Sequence, residues 1–66
     1  MKNQGVTHKI TFEDAIDIWH RHWDGEFQHR IAAFYDVNPG RISEILKGHK
    51  HVGSKQAAQE RYKRRA

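Results

Sequence analysis

Apolar residues in the first third of the chain recur with the spacing of a single helix face. The stripe consists of Phe12, Ile16, Trp19 and Trp23. Successive members lie four, three and four residues apart, so at about 100° per residue they fall on one side of a helix. Thr11 supplies an N-cap hydroxyl and acidic residues follow it, both of which favour a helix start. We predict an amphipathic helix from residue 12 to about residue 24, with Gly25 as its C-cap.

Two shorter apolar patterns follow and predict two further helices. The inward positions are Phe27, Ile31 and Phe34 in the second helix and Ile42, Ile45 and Leu46 in the third. The second helix is predicted to run from about Glu26 to Phe34. Asn38 and Pro39 are favoured at the N-cap and first position of a helix, and Pro39 prevents the preceding helix from continuing. Gly48 ends the third helix.

Both ends of the chain carry weaker patterns. Residues 1–10 show no periodicity, and we expect them to form a flexible arm. Residues 49–66 are expected to form a basic linker and a marginal helix capped by Ser54, because their apolar residues are few. The prediction is an all-α domain of three to four helices, in which residues 11–48 form the three-helix part.

The size and charge of the chain narrow the class of protein. Sixty-six residues suffice for one domain. The chain has no cysteine, no apolar run long enough to cross a bilayer and no signal-peptide pattern. We therefore expect a cytoplasmic protein that does not contact a membrane. Residues 1–40 carry four Lys or Arg against six Asp or Glu, whereas residues 41–66 carry eight against two. This basic C-terminal part favours a polyanionic partner.

The segment from Gln28 to Gly48, QHRIAAFYDVNPGRISEILKG, resembles the helix-turn-helix of small bacterial and phage transcriptional regulators, including repressors. The resemblance covers about a third of the chain. In it, Ala32 is the small residue where the two helices cross, and Val37 is the apolar residue of the turn. Asp36 departs from the family, which most often has glycine there, but Asp adopts a positive φ more readily than most residues.

The resemblance implies binding to double-stranded DNA, with a recognition helix at about residues 39–47 in the major groove. The candidate base contacts are Asn38, Pro39, Gly40, Arg41, Ser43 and Glu44. Arg41 is the foremost of them, since its guanidinium matches the O6 and N7 acceptors of guanine. The candidate phosphate contacts are Gln28, His29, Arg30, Lys47, His49, Lys50, Lys55, Arg61, Lys63, Arg64 and Arg65. Such a regulator would be associated with the nucleoid.

Protein partners form a second set of expectations. Trp19 and Trp23 are expected in the core, and their excess area is a candidate surface for a homodimer or another partner. RNA polymerase or another regulator is a further candidate partner. The alternative function is a protein–protein interaction module, such as an anti-activator or co-regulator, that uses this tryptophan face. A DNA-binding fragment of a recombinase or transposase is a third possibility.

Catalysis and metal binding find little support in the sequence. His20 and His22 are two residues apart and diverge by about 200° on a helix, which is unsuited to a shared metal ion. The chain has no glycine-rich phosphate loop, no nucleophile elbow and no cysteine nucleophile. We therefore expect neither an enzyme nor a bound cofactor.

Overall fold

The computed structural model describes residues 9–65, which form four α-helices and no β-strand. The helices are α1 (Phe12–Trp23), α2 (Gln28–Tyr35), α3 (Pro39–Leu46) and α4 (Ser54–Arg65). The prediction of an all-α fold with three to four helices is confirmed. Within this part of the chain, no helix combines the length and the apolar character needed to span a membrane.

Short-range side-chain bonds explain where α1 and α3 begin. The Thr11 hydroxyl accepts a hydrogen bond from the Asp14 backbone N–H at 3.1 Å, and the Asp14 carboxylate accepts one from the Thr11 backbone N–H at 3.1 Å. This is a complete capping box, which satisfies two N–H groups at the start of α1. The Asn38 Oδ1 likewise accepts from the Arg41 backbone N–H at 3.1 Å, and Pro39 occupies the first turn of α3.

The first three helices end in the same Schellman geometry. The residue that leaves each helix adopts a left-handed backbone, with φ of 98° at Gly25, 58° at Asp36 and 82° at Gly48. The next N–H then bonds back to a carbonyl five residues earlier, which satisfies a terminal carbonyl of the helix. These bonds join Glu26 to Arg21 at 3.0 Å, Val37 to Ala32 at 3.0 Å and His49 to Glu44 at 2.9 Å.

The core lies where α1 packs against each of the other helices. Three isoleucines, Ile18, Ile31 and Ile42, are completely buried, and Ile45 is nearly so. The inward positions predicted for α3 are therefore confirmed at Ile42 and Ile45, and Leu46 is half-buried. Residues of α2 and α3 face each other through this core, so the two helices are held as a packed pair.

The predicted inward face of α2 is wrong at both ends. Phe27 precedes the helix and is 67% exposed, and Phe34 is 56% exposed. Tyr35 is buried instead, because its hydroxyl reaches across to α1 and donates to the Asp17 carboxylate. The exposed Phe34 ring is covered in part by the guanidinium of Arg21, which lies 3.8 Å from the ring centroid.

The C-terminal segment differs from the expected linker and marginal helix. α4 packs along α1 and contributes Ala58, which is fully buried, and Ser54, which is 1% exposed. Ser54 begins the helix, and its hydroxyl accepts a hydrogen bond from the indole N–H of Trp19 at 3.1 Å. The core therefore extends beyond residues 11–48 and includes α4.

The predicted N-terminal arm, residues 1–10, lies outside the described residues except for its last two. Of these, Lys9 is exposed and Ile10 is buried against the core. Ile10 therefore belongs to the packed domain.

Candidate nucleic-acid interface

The connection between α2 and α3 sets the orientation of the candidate recognition helix. Asp36 takes the left-handed conformation, with φ 58° and ψ 44°, that the resemblance requires at this turn. Val37 is half-buried and packs against the core. Because Ile42 and Ile45 fix the inward side of α3, its other side is turned toward solvent.

The residues predicted to contact bases occupy this solvent-facing side to different degrees. Asn38, Pro39, Gly40 and Arg41 are exposed, and Ser43 and Glu44 are half-buried. Within residues 9–65, Arg41 forms no ion pair with a carboxylate. The leading part of α3 thus presents a guanidinium that forms no ion pair with any carboxylate the structure describes.

Gly40 has a local structural role beside the N-cap. A Cβ at this position would lie 3.1 Å from the Asn38 Oδ1, which is the oxygen that caps α3. A larger residue would crowd that oxygen. The glycine therefore keeps room for the cap, and it also leaves one position of the first turn of α3 without a side chain.

Most of the predicted phosphate contacts lie at the start of α2 or after α3. All of these are exposed: Gln28, His29, Arg30, Lys47, His49 and Lys50. The His29 ring is stacked on Phe27, with centroids 5.8 Å apart and planes 9° from parallel. No carboxylate in the described part of the chain forms an ion pair with Arg30, Lys47 or Lys50.

The basic residues of α4 are placed differently. Arg61 forms a bidentate pair with Glu13 of α1, with Nη1–Oε1 and Nη2–Oε2 distances of 2.7 and 3.1 Å. Its hydrogen bonds lower the pKa of the Glu13 carboxyl. The Lys55 Nζ lies 5.5 Å from the centroid of the Trp19 ring. Lys63 is exposed, and the predicted contacts of the Arg64 and Arg65 side chains fall outside the described part of the structure.

A second arginine neutralises acidic groups near the α1–α2 junction. Arg21 lies 2.7 Å from Asp17 and 3.2 Å from Glu26. Burial raises the pKa of Asp17, but hydrogen bonds from Tyr35 and Arg21 outweigh this effect, so the pKa is lowered overall. Arg21 and Arg61 thus pair with acidic residues of α1 and of the segment after it, whereas Arg30 and Arg41 form no such pair within the described part of the chain.

The prediction that Trp19 lies in the core is confirmed, and its burial leaves it little area for the predicted partner surface. Trp19 is only 5% exposed, because α4 covers it and Ser54 accepts its indole N–H. Trp23 is half-buried, with its ring centroid 5.2 Å from that of Tyr62. The excess aromatic area of α1 is therefore covered within the chain by a helix whose packing the sequence did not indicate.

Sequence reasoning missed Lys9 and His51, which lie beside the candidate interface. Together with Arg41, Glu44 and Lys50 they line one groove next to α3. His51 has a left-handed backbone, with φ 51°, and its ring meets Phe12 edge-on at 6.3 Å. The run of basic residues from 49 to 51 was a sequence signal for an anion-binding surface. The direction of the His51 side chain depends on its left-handed backbone, which sequence reasoning did not predict.

Metal binding has no geometric support in the described part of the chain. Among residues 9–65, no three histidine or acidic side chains are grouped closely enough to share an ion. One ring nitrogen of His20, the Nε2, lies 3.0 Å from the Ala58 carbonyl oxygen of α4, which is a structural contact between helices.

No protein-family model matches the chain, and neither the curated proteins nor the solved structures contain a significant match to it. Its function must therefore be inferred from its own residues and their arrangement.

Proposed function

We propose that this protein binds double-stranded DNA sequence-specifically through α3 and acts as a small transcriptional regulator. The observation that carries the proposal is the exposed leading part of α3, where Arg41 has no carboxylate partner within residues 9–65. An α-helix with its side chains is about 10–12 Å across, and the major groove is about 12 Å wide. The packed pair of α2 and α3 leaves this side of α3 available to enter such a groove.

Base recognition is assigned mainly to Arg41. A bidentate contact from arginine to guanine contributes about 1–3 kcal/mol of discrimination against other bases. Asn38 uses its Oδ1 to cap α3, so its amide nitrogen is the group left to donate to a base acceptor. Ser43 and Glu44 lie farther along the helix and contact bases only if the helix enters deeply, since both are half-buried.

Phosphate contacts are assigned to the exposed residues that flank α3. Gln28 and Arg30 stand in the first turn of α2, where backbone N–H groups and the helix dipole favour an anion. Lys47 and Lys50 follow α3. Arg61 and Lys55 contact α1, so we assign them a general electrostatic attraction rather than a defined contact.

The regulator would act by occupying its site. With no catalytic group proposed, it would block RNA polymerase at a promoter or contact polymerase or another regulator bound beside it. Binding as a homodimer would place two copies of α3 one helical turn apart on a palindromic site. A bacterial or phage origin and association with the nucleoid belong to the same proposal.

The second candidate function is a protein–protein interaction module, such as an anti-activator or co-regulator. The observation that favours it is exposed aromatic area at α2 rather than at the tryptophans of α1. Phe27, the N-cap of α2, is 67% exposed, and Phe34, near the end of the helix, is 56% exposed. If this function is correct, Phe27→Ser abolishes complex formation with the partner protein while Arg41→Ala has no effect.

The proposed function is tested by selecting genomic fragments with the purified protein at two salt concentrations. A specific regulator enriches one sequence motif at both concentrations, and an inverted repeat in that motif indicates a homodimer. Retention of all fragments alike, and only at low salt, would contradict sequence-specific binding, since that behaviour is typical of nonspecific attraction to phosphates.

A further inference from the structure

A groove beside α3 gathers several basic side chains around a partly apolar floor. Its basic residues are Lys9, Arg41, Lys50 and His51. Ile10 and Ile45, both buried, form part of the lining. Residues from three separate stretches of sequence therefore meet at one place: the segment before α1, the helix α3, and the loop before α4.

The charge of the groove favours an anion. Lys9, Arg41 and Lys50 supply two amino groups and a guanidinium to the groove, and Glu44 is the one carboxylate among its described lining residues. None of the three cations forms an ion pair within residues 9–65. Because Arg41 is assigned to a base, Lys9 and Lys50 are the cations that retain their capacity to bind a phosphate oxygen, and they outnumber the acidic side chain two to one.

The position of His51 also indicates that the groove is preorganised. Its left-handed backbone is an uncommon conformation for a residue other than glycine. The half-buried His51 ring also meets the Phe12 ring edge-on, with the ring centroids 6.3 Å apart. A non-glycine residue in this conformation is a reason to look for function at that position.

We infer that this groove binds a backbone phosphate of the duplex next to the base pairs read by Arg41. The inference rests on the proposed function, because it places the phosphodiester by the same helix that enters the major groove. It adds Lys9 and His51 to the contacts. It also gives Glu44 a role besides base contact. The Glu44 carboxylate lies in the groove, repels the phosphate and thereby limits the affinity for any duplex.

The test measures affinity for a selected duplex by fluorescence anisotropy over a range of salt concentrations. The test variant combines Lys9→Gln with Lys50→Gln. The control is Lys55→Gln on α4, which also removes an exposed positive charge but to which no defined phosphate contact is assigned. Each lost phosphate contact reduces the slope of log affinity against log salt by about one. We expect a decrease of about one for the double variant, because a single phosphate loses its contacts, and no comparable decrease for Lys55→Gln.

Two further variants probe the groove by different chemistry. His51→Asn retains a residue that tolerates the left-handed backbone, and loss of its hydrogen bond is expected to weaken binding ~5-fold. Glu44→Gln removes the repulsion and is expected to strengthen binding to unrelated duplexes. Circular dichroism checks that each variant folds, since Glu44 and His51 are half-buried whereas Lys9, Lys50 and Lys55 are exposed.

The outcomes separate this inference from the function on which it rests. If the wild type binds duplex and the double variant keeps the wild-type slope, the phosphate assignment is overturned and DNA binding stands. If the wild type binds no duplex, both are overturned. A free phosphate is the other source of the same chemistry. If inorganic phosphate displaces the duplex better than chloride at equal ionic strength, the groove is assigned to that anion and the backbone assignment fails.

Discussion

At the residue scale, single polar contacts decide which side chains belong to the core. Trp19 can be buried because Ser54, 35 positions later, accepts its indole N–H at 3.1 Å. A buried donor without an acceptor would cost free energy, which makes the serine as important as the ring itself. Tyr35 is buried for a similar reason, since the Asp17 carboxylate accepts a hydrogen bond from its hydroxyl.

Replacing Ser54 by alanine is expected to lower the free energy of unfolding by about 1–3 kcal/mol, because the Trp19 N–H loses its acceptor in a buried site. Urea denaturation measures the change. A double-mutant cycle with Trp19→Phe supplies the control, since Ser54→Ala should cost less once the indole donor is gone. Equal costs in both backgrounds would show that the hydrogen bond does not stabilise the domain.

The left-handed backbone at Asp36 predicts a substitution that stabilises the domain. Glycine adopts φ of about 60° without strain, so Asp36→Gly is expected to raise the free energy of unfolding by about 0.5 kcal/mol. Asp36→Ala should lower it by about 1 kcal/mol, because Ala tolerates this conformation less well than Asp. The urea midpoints of the two variants provide the comparison. A destabilised glycine variant would mean that the Asp36 side chain has another role.

Sequence reasoning succeeded for residues whose signals are local. Thr11 and the Asn38–Pro39 pair mark helix starts through bonds to neighbours three residues away, and such signals are readable from the chain. It failed at Phe34 and Tyr35, where the more hydrophobic phenylalanine is exposed and the tyrosine is buried. That choice depends on where Asp17 and Arg21 of α1 lie across the helix crossing, which spacing alone does not reveal.

At the element scale, α1 and α2 are joined by a small polar network. Tyr35 and Arg21 both donate to Asp17, and Arg21 also reaches Glu26. Burial and the Asp17 carboxylate together raise the pKa of the Tyr35 hydroxyl, which therefore remains protonated. The network fixes α2 on α1 and thereby fixes α3, which packs on α2.

The network predicts how stability changes with pH. The pKa of Asp17 is lowered in the folded chain, so its stabilisation is present above about pH 4 and is lost as the pH falls through the folded-state value. Tyr35→Phe is expected to lower the free energy of unfolding at pH 7 by about 1 kcal/mol, a modest loss because Asp17 is partly exposed. This difference from wild type should shrink below pH 4. Thermal melts between pH 3 and pH 8 measure both effects.

Tyr62→Phe is the matched control for this series. The Tyr62 hydroxyl donates to Asp24 at 2.7 Å in an exposed site, where water replaces a lost partner. We expect a smaller cost than for Tyr35→Phe. Similar costs for the two variants at every pH would contradict a special role for the Asp17 network.

At the scale of the whole molecule, α4 is a structural part of the domain rather than a weak tail. Its packing on α1 covers Trp19 and buries Ala58. The sequence did not predict this because α4 offers few apolar residues, and its contacts with α1 are polar and aromatic ones between residues more than thirty positions apart. The exposed face of α3, by contrast, follows from the apolar positions that were predicted for its inward side.

Truncation tests whether α4 is a structural part of the domain or a weak tail. A chain ending at residue 53 loses the cover of Trp19 and is expected to lose about 3 kcal/mol or more, which is comparable with the whole stability of so small a domain. Far-ultraviolet circular dichroism and a red shift of tryptophan fluorescence report the loss. A chain ending at residue 62 keeps the contacts of α4 and should melt close to wild type. If both truncated chains melt alike, α4 is dispensable.

The affinity of Arg41→Ala for the selected duplex, compared with its affinity for duplexes altered at each base pair, tests the central claim most directly. If Arg41 reads a guanine, the variant loses about 1–3 kcal/mol on the selected site and no longer discriminates at one base pair. Lys47→Ala, the control, weakens binding about equally on every sequence. An Arg41→Ala variant that retains wild-type affinity and discrimination at every base pair would contradict DNA recognition by α3.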